Sequence, residues 1–174
     1  MAGIPDRIVL KRHRDFEGRK NLIWLRRAGV FVLGVFLLLG LLNLFGQHPQ
    51  ALRAEHPRAT LELYAPNHLR GGLIYEARFT ISASADVKSA VLQFSPGWNE
   101  GQTMNTLEPT PVGEASKNGD LLLTLGHIPA GQKYRLFVQF QVNPTNVGRR
   151  SADVELYDGE RRLLGIHRTI TIWP

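Results

Sequence analysis

Six histidines, His13, His48, His56, His68, His127 and His167, are the residues best suited to hold a metal or move a proton. No His-x-His, His-x-x-x-His or His-Glu-x-x-His pair occurs, so a metal site would have to assemble across loops. His127 and His167 read as ordinary turn or strand histidines. The chain has no cysteine, which removes disulfides, thiolate zinc, iron–sulfur centres and thiol nucleophiles. Ser89, Ser95 and Ser151 fall in strand or turn contexts without a Gly-x-Ser-x-Gly elbow or an evident base. The pairs Asp153/Glu155 and Asp158/Glu160 stand two residues apart, and on a strand that places both carboxylates on one face, a geometry open to acid–base work. They are interleaved with Arg150, Arg161 and Arg162, so cross-strand ion pairing is the expectation. No glycine-rich loop opens a helix after a strand. No catalytic residue, metal site or cofactor is expected.

Binding chemistry has better candidates. Trp98 lies in Pro96-Gly97-Trp98-Asn99-Glu100-Gly101, and an exposed Trp is a frequent interface anchor. The competing reading folds its indole over the end of a core. Phe137 falls on the polar side of an alternating segment and marks either a covering loop or a partner surface. Trp98, Asn99 and Phe137 are therefore the candidate binding residues. Trp24, Arg26 and Arg27 suit a membrane headgroup layer.

What positions these residues is set by the run 28–46, which is uncharged and carries Asn43 as its one polar side chain. Its length is enough to span a hydrocarbon layer about 30 Å thick as a helix. Residues 1–46 hold Arg7, Lys11, Arg12, Arg14, Arg19, Lys20, Arg26 and Arg27 against Asp6, Asp15 and Glu17, a net +5 of the whole chain's +6. A basic excess on one flank of an apolar helix holds that flank in the cytoplasm and argues against nucleic acid as the partner. A cleaved signal peptide would need a shorter basic region and apolar run and a better cleavage site than Leu52-Arg53-Ala54. The expected order is a cytoplasmic tail at 1–27, a transmembrane signal anchor at 28–46, a polar, proline-containing stalk at 47–58 and an extracytoplasmic domain at 59–174.

Beyond residue 58 the pattern alternates with period two. Strands are expected at 60–64, 73–81, 87–94, 121–125 and 134–142, with a shorter one at 103–107. Arg150 to Tyr157 and Arg161 to Ile172 form two more, joined at Asp158-Gly159. Pro129-Ala130-Gly131-Gln132 reads as a type II turn with Gly131 at positive φ. About seven strands with no further helix indicate an antiparallel β-sandwich.

Two stretches, Val91-Leu92-Gln93-Phe94-Ser95-Pro96-Gly97-Trp98 and Leu121 to Gln132 with its Leu125-Gly126-His127-Ile128-Pro129-Ala130-Gly131 turn, resemble the immunoglobulin-like modules of bacterial surface proteins. The resemblance covers roughly residues 60–174, and the whole chain is similar to single-pass membrane proteins of actinobacteria. It implies an immunoglobulin-like sandwich used for adhesion, scaffolding or assembly rather than catalysis. The expected partners are the lipid bilayer and another envelope protein, with a cell-wall polymer or carbohydrate as the alternative ligand and an envelope hydrolase as the remaining one.

Overall fold

The computed structural model describes residues 20–42 and 47–174. The tail 1–19 and the end of the apolar run, 43–46, lie outside the described residues. The chain divides into two units, Met1–Gly46 and Gln47–Pro174.

The first unit contains helix α1, Lys20–Leu41. Its segment Leu22–Leu41 is 20 residues long, which at 1.5 Å per residue spans about 30 Å. Valine, leucine and phenylalanine side chains cover all sides of it and none is buried. The helix begins eight residues before the boundary expected at 28. Trp24, Arg26 and Arg27 are helical, because nothing in Lys20–Arg27 breaks a helix.

The second unit is a β-sandwich. Its strands are β1 (Pro49–His56), β2 (Ala59–Pro66), β3 (His68–Arg70), β4 (Ile74–Ala83), β5 (Val87–Phe94), β6 (Gln102–Glu108) and β7 (Gly113–Lys117). They continue as β8 (Asp120–Ile128), β9 (Lys133–Val142), β10 (Gly148–Ser151), β11 (Val154–Asp158), β12 (Arg161–Ile166) and β13 (Thr169–Trp173). One five-stranded sheet runs β1-β2-β4-β9-β6 and the other β12-β11-β5-β8-β7. A third sheet, β10-β13-β3, holds a parallel pair, β13 with β3.

Period-two alternation puts the core between the two larger sheets. Leu61 and Leu63 of β2, Phe79 and Ile81 of β4, and Leu136, Val138 and Phe140 of β9 are buried on one side. They share one cluster with Leu92 and Phe94 of β5, Leu123 of β8, and Val154 and Leu156 of β11. Gly131 has φ +80, as the expected turn requires.

Three expectations are corrected. The stalk at 47–58 is strand β1, paired residue for residue with β2 from Pro49↔Pro66 to His56↔Ala59. Leu52 and Ala54 alternate inward and pack on the core, a short signal that the flanking prolines obscure. The strands expected at 150–157 and 161–172 are each cut in two, at Ala152-Asp153 and His167-Arg168. At the first cut the chain enters the second large sheet from the third, and at the second it returns: the Ala152 N–H donates to the Arg168 carbonyl, and the Arg168 N–H donates to Asp153 Oδ1 at 3.0 Å. Finally, β7 falls outside every strand expected from the sequence; it pairs with β8 through a turn whose Asn118 (φ 54) and Gly119 (φ 89) both take left-handed conformations, the type I′ pattern.

Candidate functional site

Trp98 sits on a single 3-10 turn, Pro96–Trp98, that follows β5. It is 0% exposed. Its ring centroid lies 5.6 Å from Phe79, 5.7 Å from Phe94 and 5.1 Å from Phe140, so residues from both large sheets meet on it. The indole Nε1 donates to the Asp153 carbonyl at 3.0 Å. Trp98 is thus a core residue and no stacking platform, which corrects its place among the binding candidates; its apolar body outweighs its position near a loop. Asn99 is exposed, and its N–H donates to the Pro96 carbonyl. Gly97 allows the bend, since a Cβ there would lie 1.7 Å from the Ser151 carbonyl oxygen.

Arg168 also lies over the indole, its guanidinium carbon 5.1 Å from the ring centroid. Arg168 is 6% exposed. Its Nη2 donates to the Pro66 carbonyl at 2.6 Å, while Nε and Nη1 have no hydrogen-bond partner among the described residues. Burial without a carboxylate pushes its pKa down to about 10, against an opposing pull from Tyr75. The Tyr75 hydroxyl, raised above its ordinary value mainly by burial, donates to Gln102 Oε1 at 2.6 Å, and Gln102 Nε2 donates to the Gly97 carbonyl at 3.0 Å. Arg168 is absent from the candidates named from the sequence, yet it occupies an inward register position between Ile166 and Ile170, where a cation is out of place.

Four of the chemistry-bearing residues, Ser95, Ser151, Asp153 and His167, converge beside this cluster. Ser95 Oγ accepts the Asp153 N–H at 2.9 Å, and His167 Nδ1 lies 3.3 Å from Asp153 Oδ2. Burial works to raise the Asp153 pKa, but the Arg168 N–H, the Ser151 hydroxyl and His167 together bring it below its ordinary value. The Ser95 hydroxyl donates to the Ser151 carbonyl at 3.5 Å and the Ser151 hydroxyl bonds to Asp153, so neither serine is held on the imidazole. Glu155 behaves as expected of an ion-paired strand residue, with Arg162 Nη2 at 2.9 Å and the Tyr157 hydroxyl at 2.7 Å. Asp158 pairs with Arg58 at 3.0 Å instead of with a neighbouring arginine. His127 Nε2 meets Asp86 Oδ1 at 2.6 Å on the surface. Among the described residues no group of three His, Asp or Glu side chains is placed to hold a metal.

Phe137 is half-buried on the outward face of the first sheet, as its alternation indicated. It stands directly opposite Arg78 of β4 and Glu108 of β6. Arg78 is in turn opposite Tyr64 of β2, and its guanidinium lies 4.9 Å from the Tyr64 ring centroid. Tyr64 is 42% exposed. Beside this row is a shallow hollow of about 440 Å³, to which Arg53, Glu62, Tyr64, Arg78, Lys133 and Arg135 contribute. On the helix, the Arg27 guanidinium lies 5.6 Å from the Trp24 ring, and Arg26 is exposed.

No protein-family model matches the sequence, and no curated protein does. Among solved structures, the chain is similar to the cohesin module of a family 33 glycoside hydrolase from Clostridium perfringens, at 17% identity and a TM-score of 0.41, over 69% of this chain and 98% of that one. It is also similar to a sporulation control protein from Bacillus subtilis, at 13% identity and a TM-score of 0.40, over 67% of this chain and 50% of that one.

Proposed function

We propose that the protein is a non-catalytic envelope protein, anchored in the membrane by α1, whose β-sandwich outside the membrane binds or positions another envelope or membrane component. One observation carries this reading. The segment Leu22–Leu41 exposes nearly all its large apolar side chains, while the sandwich closes a core of its own without them. An apolar helix of that length is stable in the hydrocarbon of a bilayer and costly in water. The net +5 of residues 1–46, on one flank of the apolar helix, favours an N-terminus inside.

Alkaline carbonate extraction of cells expressing the full chain tests the anchor, with protease added to intact cells to test the orientation. The full-length protein is expected in the membrane pellet, with the sandwich accessible only from outside. A soluble form whose N-terminus lies beyond residue 46 would make α1 a cleaved signal sequence. Crosslinking in the native membrane, followed by identification of captured proteins, tests the partner; recovery of lipid alone counts against a protein partner.

A second reading, a cell-wall polymer or carbohydrate as ligand, draws on the outward row of Tyr64, Arg78 and Phe137. Because Trp98 is core, its removal tests stability and not binding. A test of the ligand belongs on the outward sheet face.

A further inference from the structure

We propose that the outward face of the first sheet is a binding site for a linear phosphodiester polymer, held by Arg78, Arg135 and Lys133. The proposal rests on the reading of the sandwich as an envelope-binding module and gives that module a site and a ligand class.

The hollow is lined by four cationic side chains, Arg53, Arg78, Lys133 and Arg135, and one carboxylate, Glu62. Arg53 is neutralised locally, its Nε 2.8 Å from Glu55 and its Nη1 3.2 Å from Glu62. Arg78, Lys133 and Arg135 make no ion pair among the described residues. Three cations left unpaired around one concavity are a charge pattern complementary to an anion.

The three are also ordered. Strand geometry repeats same-face side chains at about 6.7 Å along β9, which separates Lys133 from Arg135. Arg135 is opposite Thr80 and Arg78 opposite Phe137, so Arg78 stands one strand over and two residues on from Arg135, about 8 Å away. The cations therefore form a line with a repeat of about 7–8 Å, and each side chain can take one anionic group of a chain with a similar charge spacing. The Arg78 guanidinium lies over the Tyr64 ring, 4.9 Å from its centroid, and that contact lowers the entropy lost when the planar fork takes two oxygens of one phosphate.

An acidic peptide carries charges at a similar repeat, but it fits this face less well. The main-chain groups of β2, β4 and β9 are taken up by ladders to both neighbours. A peptide lying across them finds no backbone partners, which are the usual source of affinity when a sheet takes up an extended chain. A phosphodiester polymer needs none, and the hydroxyls of Thr80 and Tyr64 beside the cations suit its polyol or sugar units.

The test uses the full chain in uncharged detergent and immobilised poly(glycerol phosphate), with poly-L-glutamate and neutral dextran as comparison surfaces. Arg135→Glu and Lys133→Glu are expected to weaken binding to the phosphate polymer roughly tenfold each. Lys88→Glu, the same change of charge on an exposed residue of β5 in the other large sheet, is expected to leave binding within twofold of wild type. Binding by the wild type should weaken as salt rises, because the contact is between exposed charges. Circular dichroism confirms that each variant is folded. Three results overturn the proposal: no binding by the wild type, equal losses in all three variants, or tighter retention on poly-L-glutamate. Crosslinked capture of an envelope protein that persists in Arg135→Glu, with no polymer binding by the wild type, removes this site and leaves the module reading standing.

Discussion

Arg168 is the residue on which the end of the sandwich depends most unusually. Its guanidinium lies over Trp98 and donates to the Pro66 carbonyl, its backbone carbonyl accepts the Ala152 N–H, and its backbone N–H donates to Asp153 Oδ1. Its charge has no acidic partner among the described residues, so its stem and its guanidinium act in opposite directions on stability. Arg168→Ala removes the packing over Trp98 and is expected to cost about 2 kcal/mol in urea unfolding. Arg168→Met keeps a stem of similar length without the charge and is expected to stay within about 1 kcal/mol of wild type. Equal losses in the two variants would mean that the guanidinium's hydrogen bonds outweigh its burial. Asp153 gives a pH dependence with a definite sign. Its pKa is depressed in the fold, so its contribution is complete above the ordinary carboxylate range, near 4, and is lost as pH falls through the lower folded value. Asp153→Asn is expected to lower the melting temperature at pH 7 by a few degrees, with the two proteins converging in acid. Melting curves from pH 7 to pH 3 measure it, and parallel curves would reject it.

At the scale of elements, β1 is the addition that alters the picture of the domain. It covers one side of β2, and Leu52 and Ala54 pack on the common core. A fragment beginning at residue 57 would leave the N–H and C=O groups of β2 open along a strand with Leu61 and Leu63 on its inner face. Size-exclusion chromatography is expected to find that fragment aggregated and the fragment 47–174 monomeric; a monomeric shorter fragment would make β1 dispensable. The longer strands were readable because their alternation is strong: β5 spans Val87–Phe94 and β9 Lys133–Val142, within a residue of expectation. The pattern was silent where tertiary contacts cut a continuous alternation, as at Asp153 and Arg168, or where a strand is short and mostly exposed, as in β7. Asn118-Gly119 was a turn signal in plain view. Of the candidate site, Phe137 was legible from its register. Its neighbours Tyr64 and Arg78 were not, because cross-strand pairing joins residues far apart in the chain.

At the scale of the whole chain, the two large sheets share one core with Trp98 at its end, contacted by β4, β5 and β9. Neither sheet can lose its partner without exposing the same side chains. The fragment 47–174 is expected to unfold in one transition, with Trp fluorescence and far-ultraviolet circular dichroism giving coincident midpoints. Separated midpoints would mean that one sheet outlasts the other. The pairing of β1 with β2 also has a mechanical meaning. A flexible segment over 47–58 would act as a soft spring, extending to about 40 Å under a small pull. Instead, tension applied at Gln47 along the axis of β1 meets the ladder from Pro49↔Pro66 to His56↔Ala59 in shear, so that its hydrogen bonds resist together. Peeling the strand sideways breaks them one at a time. Any force transmitted from the helix to the sandwich passes first through that single pair of strands, which makes β1 the joint that decides whether a tug is passed on or gives way.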